Sequence, residues 1–205
     1  MSRSLSGAAA IAGIGATEFS KESGRSELQL SVEAVQHALA DCGLDASHVD
    51  GLTTFTMDTS SEIAVARELG VPELRFFSRI NYGGGAACAT VQQAAMAVAT
   101  GIADVVVCYR GFNERSESRF GQFSLAAATQ VNTNGLDNAW TYPMGLGTPA
   151  ATVAMQARRY MHEYAATSED FGRIAVADRR HAANNPSAFF FGKPITLADL
   201  SLIHI

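Results

Sequence analysis

The chain has 205 residues, 47% of them apolar and 17% charged, with a mean hydropathy of +0.07; this is a globular composition with room for one or two domains and a sizeable core. The formal charge of −5 gives no basic footprint and argues against a nucleic-acid partner. The three cysteines, Cys42, Cys88 and Cys108, form neither a disulfide framework nor a metal spacing, and no stretch is long and apolar enough to span a bilayer, so a reducing cytoplasm is the expected compartment.

Ala8 to Gly15 is predicted to be a buried strand. A helix follows from Ser26 to Gly43: Ser26 suits an N-cap, Leu28, Leu30, Val32, Val35, Ala38 and Leu39 recur at helical spacing, and Gly43 suits the C-terminal cap. Val49 to Phe55 is a second strand, Ser60 to Leu69 a short helix ending at Gly70, and Leu74 to Ile80 a third strand. Ala86 to Thr100 is a long helix of mostly Ala, Val, Met and Gln, expected to be buried on all sides. Ala103 to Tyr109 is a fourth strand and a near-continuous apolar run, as buried parallel strands are. Alternating strands and helices predict an α/β fold with a largely parallel sheet and helices on both faces.

Gly111 to Gly147 departs from this rhythm. It is polar, contains Gly and Asn, and is rich in Phe, Trp and Tyr. Loop excursions of that length inside a domain are usually lids or interface loops. Two helices are predicted after it, Pro149 to Tyr164 and Ser168 to Asn184, the second ended by Pro186. The last six residues, Leu200 to Ile205, match a one-frame translation of a transposase adapter used in sequencing libraries. They are read as a scar and set apart from the domain over residues 1–199, which is expected to be the front part of a longer protein.

The strongest motif is Gly83-Gly84-Gly85, between a predicted strand and a predicted helix. Such a helix start offers unpaired N–H groups, and glycines let a ligand approach the backbone. Cys88 lies about one turn further on. Either it is a thiol with a lowered pKa, or it is a small buried hydrophobe, as free cysteines commonly are. A dinucleotide fingerprint fits poorly. Gly83 and Gly85 match its first two glycines, but Cys88 occupies the third, and Asp104 precedes a strand where an acid should follow one. Gly13 to Glu18 fails likewise, with Glu18 in the last position. The five histidines are scattered, and Arg158, His162 and Glu163 form a solvated helix face.

The stretches AAIAGIGATEF, GGGAACATVQQAAMAVATGIADVVVCYRG, QARRYMHEYAATSEDFGRIAVADRRHAANNPSA and ITLADL resemble the N-terminal domain of the thiolase superfamily. The similar branch comprises sterol-carrier-protein-type thiolases and lipid-transfer proteins of steroid side-chain degradation. The resemblance runs from about Ala8 to Leu200. It implies a thiolase-like layered fold of which this chain supplies the first half plus the loop excursion. It also implies an acyl-CoA or steroid-CoA thioester as substrate, no bound cofactor and no metal. A homodimer is implied too, with Leu74 to Ile80 as the candidate dimer edge, and a partner protein with a zinc-binding and OB-fold module. Thiolases carry a nucleophilic cysteine at the strand-to-helix turn, and aligned on GIADVVV that position falls on Gly84. Without a thiol there, covalent acyl transfer loses its acceptor. The resemblance then implies a retro-aldolase with Gly83, Gly84 and Gly85 lending backbone donors. The alternatives are an acetyl-CoA acetyltransferase-type enzyme using Cys88, and a non-catalytic acyl-CoA or lipid carrier.

Overall fold

The computed structural model describes residues 6–55, 59–80, 87–113 and 139–202, with side chains described as far as Leu200. The chain divides into two units at Arg119 and Phe120.

The first unit opens with helix α1, Glu27–Asp41. Ser26 caps it as predicted: its hydroxyl accepts from Gln29 N–H at 3.2 Å, and the Gln29 side chain accepts from Ser26 N–H at 2.9 Å. Beyond its end Gly43 takes a φ of 72°, a left-handed conformation that suits glycine. Strand β1, Gly51–Phe55, is buried along its whole length. Helix α2, Glu62–Leu69, is capped by Ser61 and stopped by left-handed Gly70. Strand β2, Phe76–Ile80, helix α3, Ala87–Ala99, and strand β3, Val106–Cys108, follow among the described residues.

The three strands are parallel in the order β2-β1-β3, with Gly51 opposite both Phe76 and Val106. The crossover β1–α2–β2 moves one way across the sheet, and β2–α3–β3 moves back past β1. Parallel crossovers are right-handed, so α2 and α3 cover opposite faces. Val35, Leu39, Val49, Leu52, Val65, Ala66 and Tyr109 form the core, each larger aliphatic contributing roughly 1.5–3 kcal/mol on burial. The amino ends of the strands converge on Asp50. Its carboxylate accepts from Asp104 N–H at 2.9 Å, Val105 N–H at 2.9 Å and Arg75 Nη1 at 3.1 Å. Asp104 is therefore a sheet-end residue, consistent with the rejection of the dinucleotide fingerprint.

Two expectations are corrected. Residues 8–15 form no strand and pair with none among the described residues, and Ile11 and Ile14 are 75% and 76% exposed. Their small residues serve a helix contact instead. A Cβ at Gly13 would lie 2.3 Å from the Ala38 carbonyl oxygen, and one at Gly15 2.3 Å from that of Ala34. Ile14 N–H donates to the Asp41 carboxylate at 3.0 Å. Secondly, α3 is not buried on all sides: Thr90, Ala94 and Ala97 are buried against the sheet, while Val91 and Met96 are exposed. The apolar run of α3 has a second use. Val91, Ala95 and Val98 line a cavity of about 580 Å3, walled also by residues 9–15, α1 and the edge of β3.

The second unit contains helices α4, Pro149–Tyr164, α5, Ser168–Asn184, and α6, Leu197–Leu202; the first two match prediction. Thr148 caps α4, and Thr167 with Asp170 caps α5. The Tyr160 ring stacks near Tyr164 and Phe171, at 4.8 and 6.2 Å. Gly172 lets Leu197 approach α5, since a Cβ there would be 2.9 Å from that leucine. Arg158, His162 and Glu163 are exposed on α4, as expected. Among the described residues no helix is long and apolar enough to cross a membrane.

Candidate active site

In a parallel sheet, ligands bind beyond the carboxyl ends of the strands, where neighbouring strands send their connections to opposite faces. Here that point lies between β1, which leads to α2, and β2, which leads to α3. The glycine triplet follows β2 in sequence. Gly83, Gly84 and Gly85 themselves lie outside the described residues, as does most of the Gly111–Gly147 excursion.

Cys88 is the second residue of α3 and is exposed. That corrects the reading of it as a buried hydrophobe, because the helix turns this position away from the sheet that Thr90, Ala94 and Ala97 cover. Cys42, just past the end of α1, donates to the Leu39 carbonyl at 3.3 Å, and Cys108 is exposed on β3. Among the described residues, no group of His, Cys, Asp and Glu has a metal-binding arrangement.

Two arginines at the strand ends were not singled out from sequence. Arg79, on β2, forms a fork with Glu62, the first residue of α2. Its Nε donates to Oε1 at 3.1 Å and its Nη2 to Oε2 at 3.2 Å. The Nη2 also donates to the Ser60 carbonyl at 3.2 Å, and the buried Tyr109 hydroxyl donates to that same oxygen at 2.9 Å. The Glu62 side chain is 9% exposed and that of Arg79 33%. The hydrogen bond to Glu62 raises the Arg79 pKa above its ordinary value, against the opposing effect of burial. Glu62 also sits in the first turn of α2, where the helix dipole favours an anion. Arg110, just beyond β3, lies with its guanidinium 4.9 Å from the centre of the Phe55 ring and 4.2 Å from that of Phe112.

The sequence model of the thiolase N-terminal domain matches residues 9–201. The chain is 68% identical over 195 residues to a 17-hydroxy-3-oxo-4-pregnene-20-carboxyl-CoA lyase of Mycobacterium tuberculosis, covering 95% of this chain and 50% of that protein. It is 69% identical over 198 residues to a steroid side-chain-cleaving aldolase of Thermomonospora curvata, with the same two coverages. A solved structure described as the Ltp2-ChsH2(DUF35) aldolase superposes with a TM-score of 0.85 at 66% identity, covering 94% of this chain and 48% of that one. The chain thus spans about half the length of the curated relatives it matches. Parallel sheet, crossover helices and matched residues agree: the chain belongs to the thiolase N-terminal domain family.

Proposed function

We propose that these residues are the first half of a thiolase-fold aldolase that cleaves the side chain of a steroid CoA ester. The observation that carries this reading is the 68% identity over 195 residues to a lyase of that class. The glycine at position 84 agrees with it, since retro-aldol cleavage needs no acyl-enzyme. In the reaction a base removes the proton of the 17-hydroxyl. The C17–C20 bond breaks as C17 becomes a ketone, and its electron pair forms the enolate of propionyl-CoA. Protonation of that enolate at carbon completes the products. The base and the carbon acid would come from the second half of the protein. Backbone N–H groups of Gly83, Gly84 and Gly85 would hold the thioester oxygen as it gains charge.

The substrate in this reading is a coenzyme A thioester, and the cleavage calls for no resident cofactor. The two-part name of the Ltp2-ChsH2(DUF35) aldolase supports a partner protein, and the family resemblance implies that this partner carries a zinc-binding and OB-fold module. A homodimer through the edge strand β2 and a cytoplasmic location belong to the same proposal.

The test is incubation of the complete protein, co-expressed with that partner, with 17-hydroxy-3-oxo-4-pregnene-20-carboxyl-CoA. Release of propionyl-CoA and a 17-keto steroid is expected. Exposure of Cys88 in the first turn of α3 favours a second reading, a thiolase-type acyltransferase. Acyl exchange between acetyl-CoA and an acyl-CoA, without steroid cleavage, would select it.

A further inference from the structure

Arg110 has no part in the cleavage steps above, and nothing in the described residues answers its charge. Its guanidinium makes no hydrogen bond or ion pair with any of them, whereas Arg25, Arg75, Arg79, Arg159 and Arg173 each meet a carboxylate. Its place is nonetheless built. On one side Tyr109 is buried and donates its N–H to the Thr53 carbonyl at 3.1 Å. On the other, Gly111 packs so closely on α1 that a Cβ would lie 2.0 Å from the Ser31 Oγ. Asn113, also buried, donates through Nδ2 to the Arg25 carbonyl at 2.8 Å. The register that pairs Thr53 with Cys108 sets Phe55 opposite Arg110 two residues further on. The Phe55 and Phe112 rings then flank the guanidinium at 4.9 and 4.2 Å. Such stacking covers the faces of the guanidinium and leaves its in-plane N–H donors available. Fixing a long side chain costs rotamer entropy, and a fixed cation without a carboxylate suits an anion that comes and goes. The position suits a ligand as well. Phe55 ends β1 and Arg110 follows β3, at the carboxyl edge where parallel sheets receive ligands. Arg110 lines a cavity of about 640 Å3 together with Thr17, Ser20 and Ser23, and the acid on its wall, Glu18, is paired with Arg25.

We infer that Arg110 binds an anionic oxygen of the coenzyme A ester. Its planar fork of donors matches the paired oxygens of a phosphate. The thioester oxygen, as it gains charge in the enolate, offers the same chemistry, and the experiment separates the two. The inference rests on the CoA-ester reading and deepens it, and it carries a binding readout that does not depend on steroid cleavage.

The experiment uses the complete protein with its partner and two variants. Arg110→Met keeps an apolar stem and loses the charge; Arg110→Lys keeps the charge and loses the fork. Calorimetry measures the binding of propionyl-CoA, the product that retains the coenzyme, and of propionyl-pantetheine, which has no phosphate. With a phosphate as acceptor, Arg110→Met is expected to raise Kd for propionyl-CoA at least about tenfold, the scale of a hydrogen bond to a charged group. Its Kd for propionyl-pantetheine then stays within about twofold of wild type. With the enolate oxygen as acceptor, both affinities hold and kcat for the steroid ester falls at least about a hundredfold. Arg110→Lys should lie between wild type and Arg110→Met in whichever quantity moves. Wild-type affinity together with wild-type kcat in Arg110→Met overturns the inference. So does an equal loss of affinity for propionyl-CoA and propionyl-pantetheine that follows the melting temperature, the mark of a purely structural stack. If Arg110→Met does not fold, Phe112→Leu, which removes one ring and keeps the cation, is expected to show the same pattern at about threefold. If the wild-type protein does not cleave the steroid ester, the functional reading fails and propionyl-CoA affinity alone decides the role of Arg110, an unchanged Kd in the variant overturning it. A wild type that neither cleaves the ester nor binds propionyl-CoA overturns both.

Discussion

At Gly84 the absence of a side chain is the proposed functional feature. A β-branched residue there would intrude where the thioester oxygen is to meet backbone donors. Gly84→Val in the complete protein is expected to lower turnover at least about a hundredfold, comparable to removal of an oxyanion donor, while the melting temperature changes little. Unchanged turnover would exclude the glycine triplet from the site. Cys88→Ala gives the complementary test. Steroid cleavage should stay within about twofold of wild type, because the retro-aldol route uses no thiol; loss of activity would promote Cys88 to nucleophile. The place of Cys88 near a helix start was legible in the sequence because helix-start signals are local, whereas the glycine triplet lies outside the described residues. The fork was not. Arg79 and Glu62 are 17 positions apart, and Arg79 is simply a polar member of an alternating strand. Only the pairing of β1 with β2 brings the two together, and no spacing rule encodes that.

Elements with local punctuation were read well. Ser26 and Gly43 bracket α1 and Gly70 ends α2 as expected, while the caps that open α2 and α5, Ser61 and Thr167 with Asp170, emerge only in the structure. Residues 8–15 were misread because a run of Ala, Gly and Ile satisfies two different demands. It suits a buried strand, and it equally suits close approach to a helix. The glycines decide, since Gly13 and Gly15 leave no room for a Cβ against α1. Gly13→Val is therefore expected to destabilise the first unit by about 1–3 kcal/mol, the usual cost of overpacking, in urea unfolding. Leu52→Ala, at a fully buried position in the middle of β1, should cost about 2–5 kcal/mol by leaving a cavity between the helical layers. A smaller effect at Leu52 than at Gly13 would mean that the core of the unit is not centred on β1.

For the molecule as a whole, the apolar surface on show exceeds what scattered exposure explains. In the first unit Ile11, Ile14, Phe77, Val91 and Met96 are each at least two-fifths exposed, and the cavity beside β3 is lined almost wholly by Ala, Val, Ile, Leu and Gly. Single exposed hydrophobics are ordinary, but contiguous apolar patches mark surfaces made to be covered. The relatives are about twice as long, and their additional half is a ready source of that cover. The 205-residue chain expressed alone is therefore expected to bind anilinonaphthalene sulfonate strongly and to self-associate in sedimentation velocity. The same residues joined to the second half should bind the dye several-fold less. Covering works in both directions, so the joined protein should also show a higher melting temperature and slower proteolysis within residues 8–20 than the shorter chain. A short chain that stays monomeric and dark to the dye would show that its exposed residues close upon themselves. The first unit would then be a self-sufficient domain, and the crevice at the ends of β1 and β2 would have to be completed from within the 205 residues.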